Sequence, residues 1–341
     1  MGFAETMLWL AQFNGEKREP SNMIKENIII GTKYPLNGLL TLPETGTAPY
    51  PAVVLVHGSG PNDMDEKVGN TYSFRDLAGG LARRGISTIR YNKRTLTYGK
   101  ELVKDPKLDL TVREESIEDA VFAADLLRKD QRINPDKIFI AGHSMGGMLA
   151  PRIDAEGGNF AGLIILAGSP RKMEEIMAEQ QNAYLKDANT IIKWVAGKQI
   201  EKIRKKFDKI YDMTDEEAKT TPVLGKYVKA YYFKEWGLKP SVDYLKNISK
   251  PILVMHGSAD VHVSVENDFE KYKEILTNNP NVSFKLYPNL NHLFMPSIYG
   301  NIKKIMKEYK KAQKMEEYVI NDIADWIKKT EEFYVHRNQW K

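Results

Sequence analysis

Residues 140–147 read "IAGHSMGG", with Ser144 between glycines at 142 and 146. A serine at the end of an apolar run, where a helical pattern begins, is the setting of a nucleophile elbow. There a tight turn lifts the hydroxyl above a sheet. A helix N-cap would account for the serine and the helix, but not for both glycines. A serine hydroxyl attacks a carbonyl only with a base beside it, and imidazole titrates near neutrality. The chain has six histidines, so the base is found by elimination. His143 adjoins the serine and cannot fold back onto its hydroxyl. His57 belongs to a second glycine motif, and His256 ends an apolar run. His262 follows the candidate acid by two positions, and His336 sits in a polar tail. His292, in "PNLNHLFM", lies on a loop after the last strand-like run and is the expected base. Its carboxylate partner should follow a strand between serine and histidine. Asp260 in "PILVMHGSADVHVS" does so. Asp268 is the rival, in a helical stretch whose simplest reading is a solvated face. The order Ser144, Asp260, His292 suits an acyl-transfer triad.

A tetrahedral intermediate also needs donors for its oxyanion. One is the backbone N–H of Met145. The other is expected from "HGSGPNDMDE" (57–66), with Ser59 chosen and Gly60 as the alternative. Asp63, Asp65 and Glu66 are candidates to orient this loop, and no catalytic role for them follows from the sequence. His256, Asp260 and His262 are metal-ligating residue types, but no further cluster supports a metal, and no cofactor is expected.

These residues require elements that bring four distant segments together. Short apolar runs alternate with helical patterns: "NIIIGT" and "GLLTL" as an antiparallel pair, then "AVVLVHG", "ISTIRYN", "KIFIAG", "GLIILAG", "PILVMHG" and "VSFKLYP". Helical stretches are expected at about 112–130, from Ser144, at about 265–277 and in "EYVINDIADWIKKTEEF". Such alternation predicts a mostly parallel sheet covered on both faces. Residues 21–170 and 248–341 form this core. Residues 171–247 interrupt it with helical patterns and no strand-like run: Ile200, Ile203, Phe207 and Ile210 share a face, Thr214 with Glu217 forms a capping box, and Pro222 breaks the pattern. Too long for a plain loop, this insertion reads as a lid. Its aromatic cluster Tyr227, Tyr231, Tyr232, Phe233 and Trp236 offers Tyr232 and Trp236 as substrate contacts. Residues 1–20 read as an appended arm or helix.

The composition narrows the function. The 341 residues are 42% hydrophobic and 28% charged, with a net charge of +5, and acids and bases are interleaved. Neither nucleic acid nor a membrane surface is an expected partner. The absence of cysteine removes disulfides, thiolate metal sites and a cysteine nucleophile. No apolar run of membrane-spanning length occurs, and Glu5 stands where a signal peptide carries positive charge, so the chain reads as cytoplasmic. A homodimer is left open.

The segments "HGSGPNDMDE", "IRYNKRT" (89–95), "GHSMGGMLAPRI", "PILVMHGSADVHV" and "DIADWI" (322–327) resemble bacterial serine esterases of the α/β-hydrolase superfamily, in the dienelactone-hydrolase-like and bile-acid-acyltransferase-like branch. The resemblance runs from about residue 36 to 327. It implies an eight-stranded α/β-hydrolase fold, a helical lid, no metal, and carboxylesterase activity on short acyl esters. The family's oxyanion segment usually carries arginine where Met64 stands. Hydroxycinnamoyl (feruloyl-type) esterases and acyl thioesterases are the nearest alternatives. A serine exopeptidase or a non-catalytic binding protein on the same scaffold is a more distant one.

Overall fold

The computed structural model describes residues 23–338 apart from 106–107, 187–196, 199–200, 202–203, 225–227 and 247, with side chains to Thr330. The expectations for the N-terminal arm and for Ile200, Ile203 and Tyr227 lie outside the described residues.

The run "AVVLV" shows how the sheet is built. Val53 and Leu55 are buried in one apolar cluster, Val54 and Val56 in another. Side chains on a strand alternate between faces, so a continuous apolar run is what a strand covered on both sides requires. Eight strands form the sheet: β1 Met23–Ile30, β2 Leu36–Pro43, β3 Tyr50–Val56, β4 Ser87–Tyr91, β5 Ile133–His143, β6 Leu163–Leu166, β7 Ile252–Gly257 and β8 Val282–Tyr287. Their order is β1-β2-β4-β3-β5-β6-β7-β8. β2 is antiparallel to both its neighbours, and the other pairings are parallel.

Helix α1 (Ser73–Ala82) lies on one face of the sheet. α2 (Arg94–Leu102) follows β4, and α3 (Glu118–Lys129) continues a wide turn at Arg113–Ile117. α4 (Met145–Ile153) starts directly after Ser144. α3 and α4 cover the second face through Ala120, Ala124, Leu127, Leu149 and Ile153. The expected helix at 265–277 opens as a wide turn over Val265–Phe269.

Between β6 and β7 come α5 (Met173–Leu185), helical residues 204–210, α6 (Asp215–Thr220), α7 (Ala230–Gly237) and α8 (Ser241–Leu245). Thr214 and Glu217 cap α6 reciprocally, at 3.2 and 2.8 Å. The expectation of no strand here needs correction, because Pro222–Leu224 and Val228–Lys229 pair as a small antiparallel hairpin. Pro222 opens its strand, a place where the missing N–H costs no ladder bond. Phe207, Ile210, Ala218, Val223, Ala230 and Phe233 give this segment its own apolar cluster. The remaining helices are α9 (Glu270–Ile275), α10 (Ile305–Tyr309) and α11 (Glu317–Asn338). α11 packs with α1 through Ile320 and Ile323. Among the described residues no helix is long and apolar enough to cross a membrane.

Candidate active site

Ser144 occupies the turn from β5 into α4 with φ 52° and ψ −116°, a region L-residues occupy only under constraint. Its N–H donates to Leu166 O on β6 at 2.8 Å, which pins the turn to the neighbouring strand. The flanking glycines are steric necessities. A Cβ at Gly142 would lie 2.1 Å from Gly146 O, and one at Gly146 would lie 2.1 Å from Val56 O. Met145 opens α4, where first-turn N–H groups lack helical partners and the positive end of the helix dipole emerges. The Ser144 hydroxyl makes no hydrogen bond among the described residues.

Asp260 and His292 come from the loops after β7 and β8, so both join Ser144 beyond the C-terminal ends of parallel strands. His292 Nδ1 donates to Asp260 Oδ2 at 2.6 Å. Asp260 Oδ1 accepts from the N–H groups of His262 and Val263 at 2.7 and 3.1 Å. Burial opposes the Asp260 charge, but His292, with His256 and His262 nearby, holds its carboxyl below the usual range. With Nδ1 committed to the carboxylate, the other ring nitrogen is left to act as base. Burial pushes the His292 imidazole below its ordinary value, with Asp260 working against that. Asn291 stiffens the loop, accepting from Leu293 and Met295 N–H and donating to Glu308 at 2.7 Å.

The rival Asp268 is not on a solvated face. It is fully buried, accepting from Ser169 at 2.5 Å, Arg171 at 2.7 Å and Ser264 N–H at 2.8 Å. It ties the start of the 171–247 segment to the turn before α9.

Two groups near the serine have partners that the sequence did not indicate, although Glu66 was already a candidate to orient its loop. Glu66, buried at φ 49°, accepts from Gly58 N–H at 2.8 Å. It also accepts from His143 Nδ1 at 3.0 Å, while His143 Nε2 faces His292 O at 3.0 Å. Both partners of His143 are acceptors, which calls for a proton on each ring nitrogen. Burial disfavours that charge, yet Glu66, together with His292 O and Asp260, outweighs it and His143 titrates above its ordinary value. The second group is Lys93, buried with Glu115 at 2.6 Å. Both Glu66 and Lys93 lay within noticed stretches, but only their burial marks them out.

Ser59, Gly60, Ser144, Met145 and His292 line a cavity of about 940 Å³ whose lining also includes Met173, Ile176, Tyr232, Phe233 and Trp236. That volume is at the upper end of the roughly 300–1,000 Å³ usual for small-molecule sites. The Tyr232 hydroxyl lies 4.0 Å from Met145 Sδ, and its ring meets Trp236 edge-on at 6.1 Å. His262 also lines the cavity, its ring 5.0 Å from that of His292 and its pKa lowered by burial to about 4. Met64, where an arginine was expected, donates its N–H to Asn92 Oδ1 at 2.9 Å. Among the described residues no cluster of three histidine or acidic side chains is arranged to hold a metal ion.

Residues 47–296 match the model of a hydrolase family described as "Serine aminopeptidase, S33". The chain belongs to that family. It is 36% identical over 295 residues to "Esterase EstD" of Thermotoga maritima, a match covering 86% of this chain and 66% of the relative, so just under two thirds of that longer protein is spanned. An esterase of Pyrococcus furiosus superposes with a TM-score of 0.52 at 16% identity, covering 92% of this chain and 94% of that one. Est1E of Butyrivibrio proteoclasticus superposes with a TM-score of 0.51 at 17% identity, covering 87% and 99%. At these identities the superpositions speak for the fold, which is that of the α/β-hydrolases.

Proposed function

We propose that this family member is a carboxylic ester hydrolase working through an acyl-enzyme on Ser144. The observation that carries the reading is the Asp260–His292 pair at 2.6 Å, whose histidine lines the same cavity as the strained serine while Asp260 is buried behind it. Ser144 Oγ attacks the ester carbonyl as His292 Nε2 takes its proton. The oxyanion rests on the N–H groups of Met145 and Ser59. The imidazolium, stabilised by Asp260, then gives its proton to the leaving alcohol. Water activated by the same nitrogen releases the acid. Apo triads are often loose and tighten on substrate, so the unpaired serine hydroxyl is compatible with this route.

The relative named an esterase supports ester over peptide substrates. So does the cavity. An aminopeptidase must pair a substrate ammonium with a free carboxylate, yet among the described residues the acids lining the cavity, Glu66, Asp105, Asp109 and Glu115, all have partners. The helical segment 171–247 serves as the lid in this reading. Since the total volume sets no short limit, a preference for short acyl groups would come from Tyr232 and Trp236 beside the carbonyl site. The test is a fluorophosphonate probe read by intact mass, together with nitrophenyl ester kinetics. Wild type should take up one probe, whereas Ser144→Ala should take up none and lose about 10⁶ in kcat. Equal turnover by the two proteins would refute the reading.

A further inference from the structure

The peptide unit joining Gly58 to Ser59 is gripped from several sides. Lys93 Nζ donates to Gly58 O at 2.8 Å, and Asn62 Nδ2 donates to the same oxygen at 3.2 Å. The preceding N–H is tied to Glu66 at 2.8 Å. Lys93 is 2% exposed. Its ammonium also meets Glu115 Oε1 at 2.6 Å, and the second Glu115 oxygen accepts from the Tyr232 hydroxyl at 2.6 Å. A buried lysine–carboxylate pair is a poor source of stability, because desolvation offsets most of the attraction. Its place beside the reacting serine calls for another reason.

A trans peptide is planar, with its C=O and N–H pointing to opposite sides. Fixing Gly58 O therefore fixes the direction of the Ser59 N–H. A cation on the carbonyl oxygen also draws charge from the amide, which strengthens its N–H as a donor. The geometry points to Lys93 as a positioning residue of the oxyanion hole: held by Glu115, its ammonium aims and polarises the Gly58–Ser59 amide toward the substrate oxygen. Tyr232 links that grip to α7 and to the cavity lining. This inference rests on the Ser144 reading above and on Ser59 as a donor.

The test compares wild type with Lys93→Met, and with Glu115→Gln, which removes the counter-charge at constant shape. Nitrophenyl ester kinetics give kcat and KM. An alkyl trifluoromethyl ketone reports the hole itself: Ser144 Oγ adds to its carbonyl carbon, the proton passes to His292, and the carbonyl oxygen becomes the oxyanion. Loss of an oxyanion donor costs about 10²–10³ in rate. Lys93→Met should accordingly lose about 10² in kcat with KM little changed, and its ketone affinity should fall by the same factor. Glu115→Gln should move the same quantities in the same direction by a smaller factor. A purely structural role would lower the melting temperature or raise KM and leave the ketone affinity per folded protein intact. Unchanged ketone affinity in Lys93→Met overturns the inference, as it does in Glu115→Gln if Lys93→Met fails to fold. Fluorophosphonate labelling of wild type is independent of both variants. Its failure would strike the Ser144 reading, while success beside unchanged variants would strike only the part given to Lys93.

Discussion

His143→Gln should shift the acid limb of the kcat/KM profile to higher pH. Both ring nitrogens of His143 face acceptors, and its ring centroid is 4.7 Å from that of His292. A base must be neutral to work, and a buried cation at that distance disfavours a second proton on His292. At 4.7 Å two unit charges interact by about 0.9 kcal/mol under water-like screening and about 3.5 kcal/mol at an effective dielectric of 20. At about 1.36 kcal/mol per pH unit, this corresponds to about 0.6 to 2.6 pH units. Removing the imidazolium also leaves Glu66 uncompensated, which raises the His292 pKa further. The sign is the same from both sources. In wild type the limb should fall below the ordinary imidazole range, because burial lowers His292; in the variant it should move upward. The assay is kcat/KM for a nitrophenyl ester against pH at constant ionic strength, since that ratio reports the free enzyme's base. Thermal melts separate a fold defect from a titration effect. A limb that stays in place, or moves to lower pH, refutes the reasoning.

Asp260→Asn should cost about 10⁴ in kcat while the protein stays folded, as expected for losing the carboxylate that sets a triad tautomer. Asp268→Asn should do the reverse, costing about 3 kcal/mol through a broken buried pair with Arg171 and keeping most of kcat. Paired kinetics and melts check both, and a crippled but stable Asp268→Asn would reverse the assignment. Nitrophenyl ester turnover should peak at short acyl chains, and Trp236→Ala should extend the accepted length. A profile unmoved by that change means Trp236 does not wall the acyl site.

The α/β alternation was legible because buried parallel strands must be apolar throughout, as at Val53 to Val56, and because helices keep their own period. The serine, acid and histidine stood out because glycine spacing, strand ends and chain order are local signals. What was hidden depended on contacts across the chain. Asp268 lies in a helical stretch of charged residues, and the partners that cover it include Ser169 and Arg171, 99 and 97 residues earlier. Glu66 and His143 are 77 residues apart, and Lys93 belongs to the strand-end segment "IRYNKRT" with nothing local to mark its contact with Gly58. The hairpin at Pro222–Leu224 was missed because three-residue strands leave no periodic trace.

β6 and β7 are hydrogen-bonded neighbours, Leu163 beside Ile252 through Leu166 beside Met255, although the whole helical segment runs between them. Ser144 precedes that segment, and Asp260 and His292 follow it. The reactive floor and the part of the wall that this segment supplies are thus separate stretches of one chain, and that part is exchangeable while lining residues from Thr95 to Leu110 keep the rest of the cavity in place. A foreign segment grafted between Gly168 and Pro251 would leave the sheet register untouched. It would have to replace a few anchors: Arg171 to Asp268, Tyr232 to Glu115, Glu235 to Arg152, and Ser241 to Met148 O. A protein engineer would retain such ties, with Ser169 to Asp268, Gln180 to His262 O and Lys219 to Asp109, and vary the residues between them, changing the pocket over an unaltered sheet.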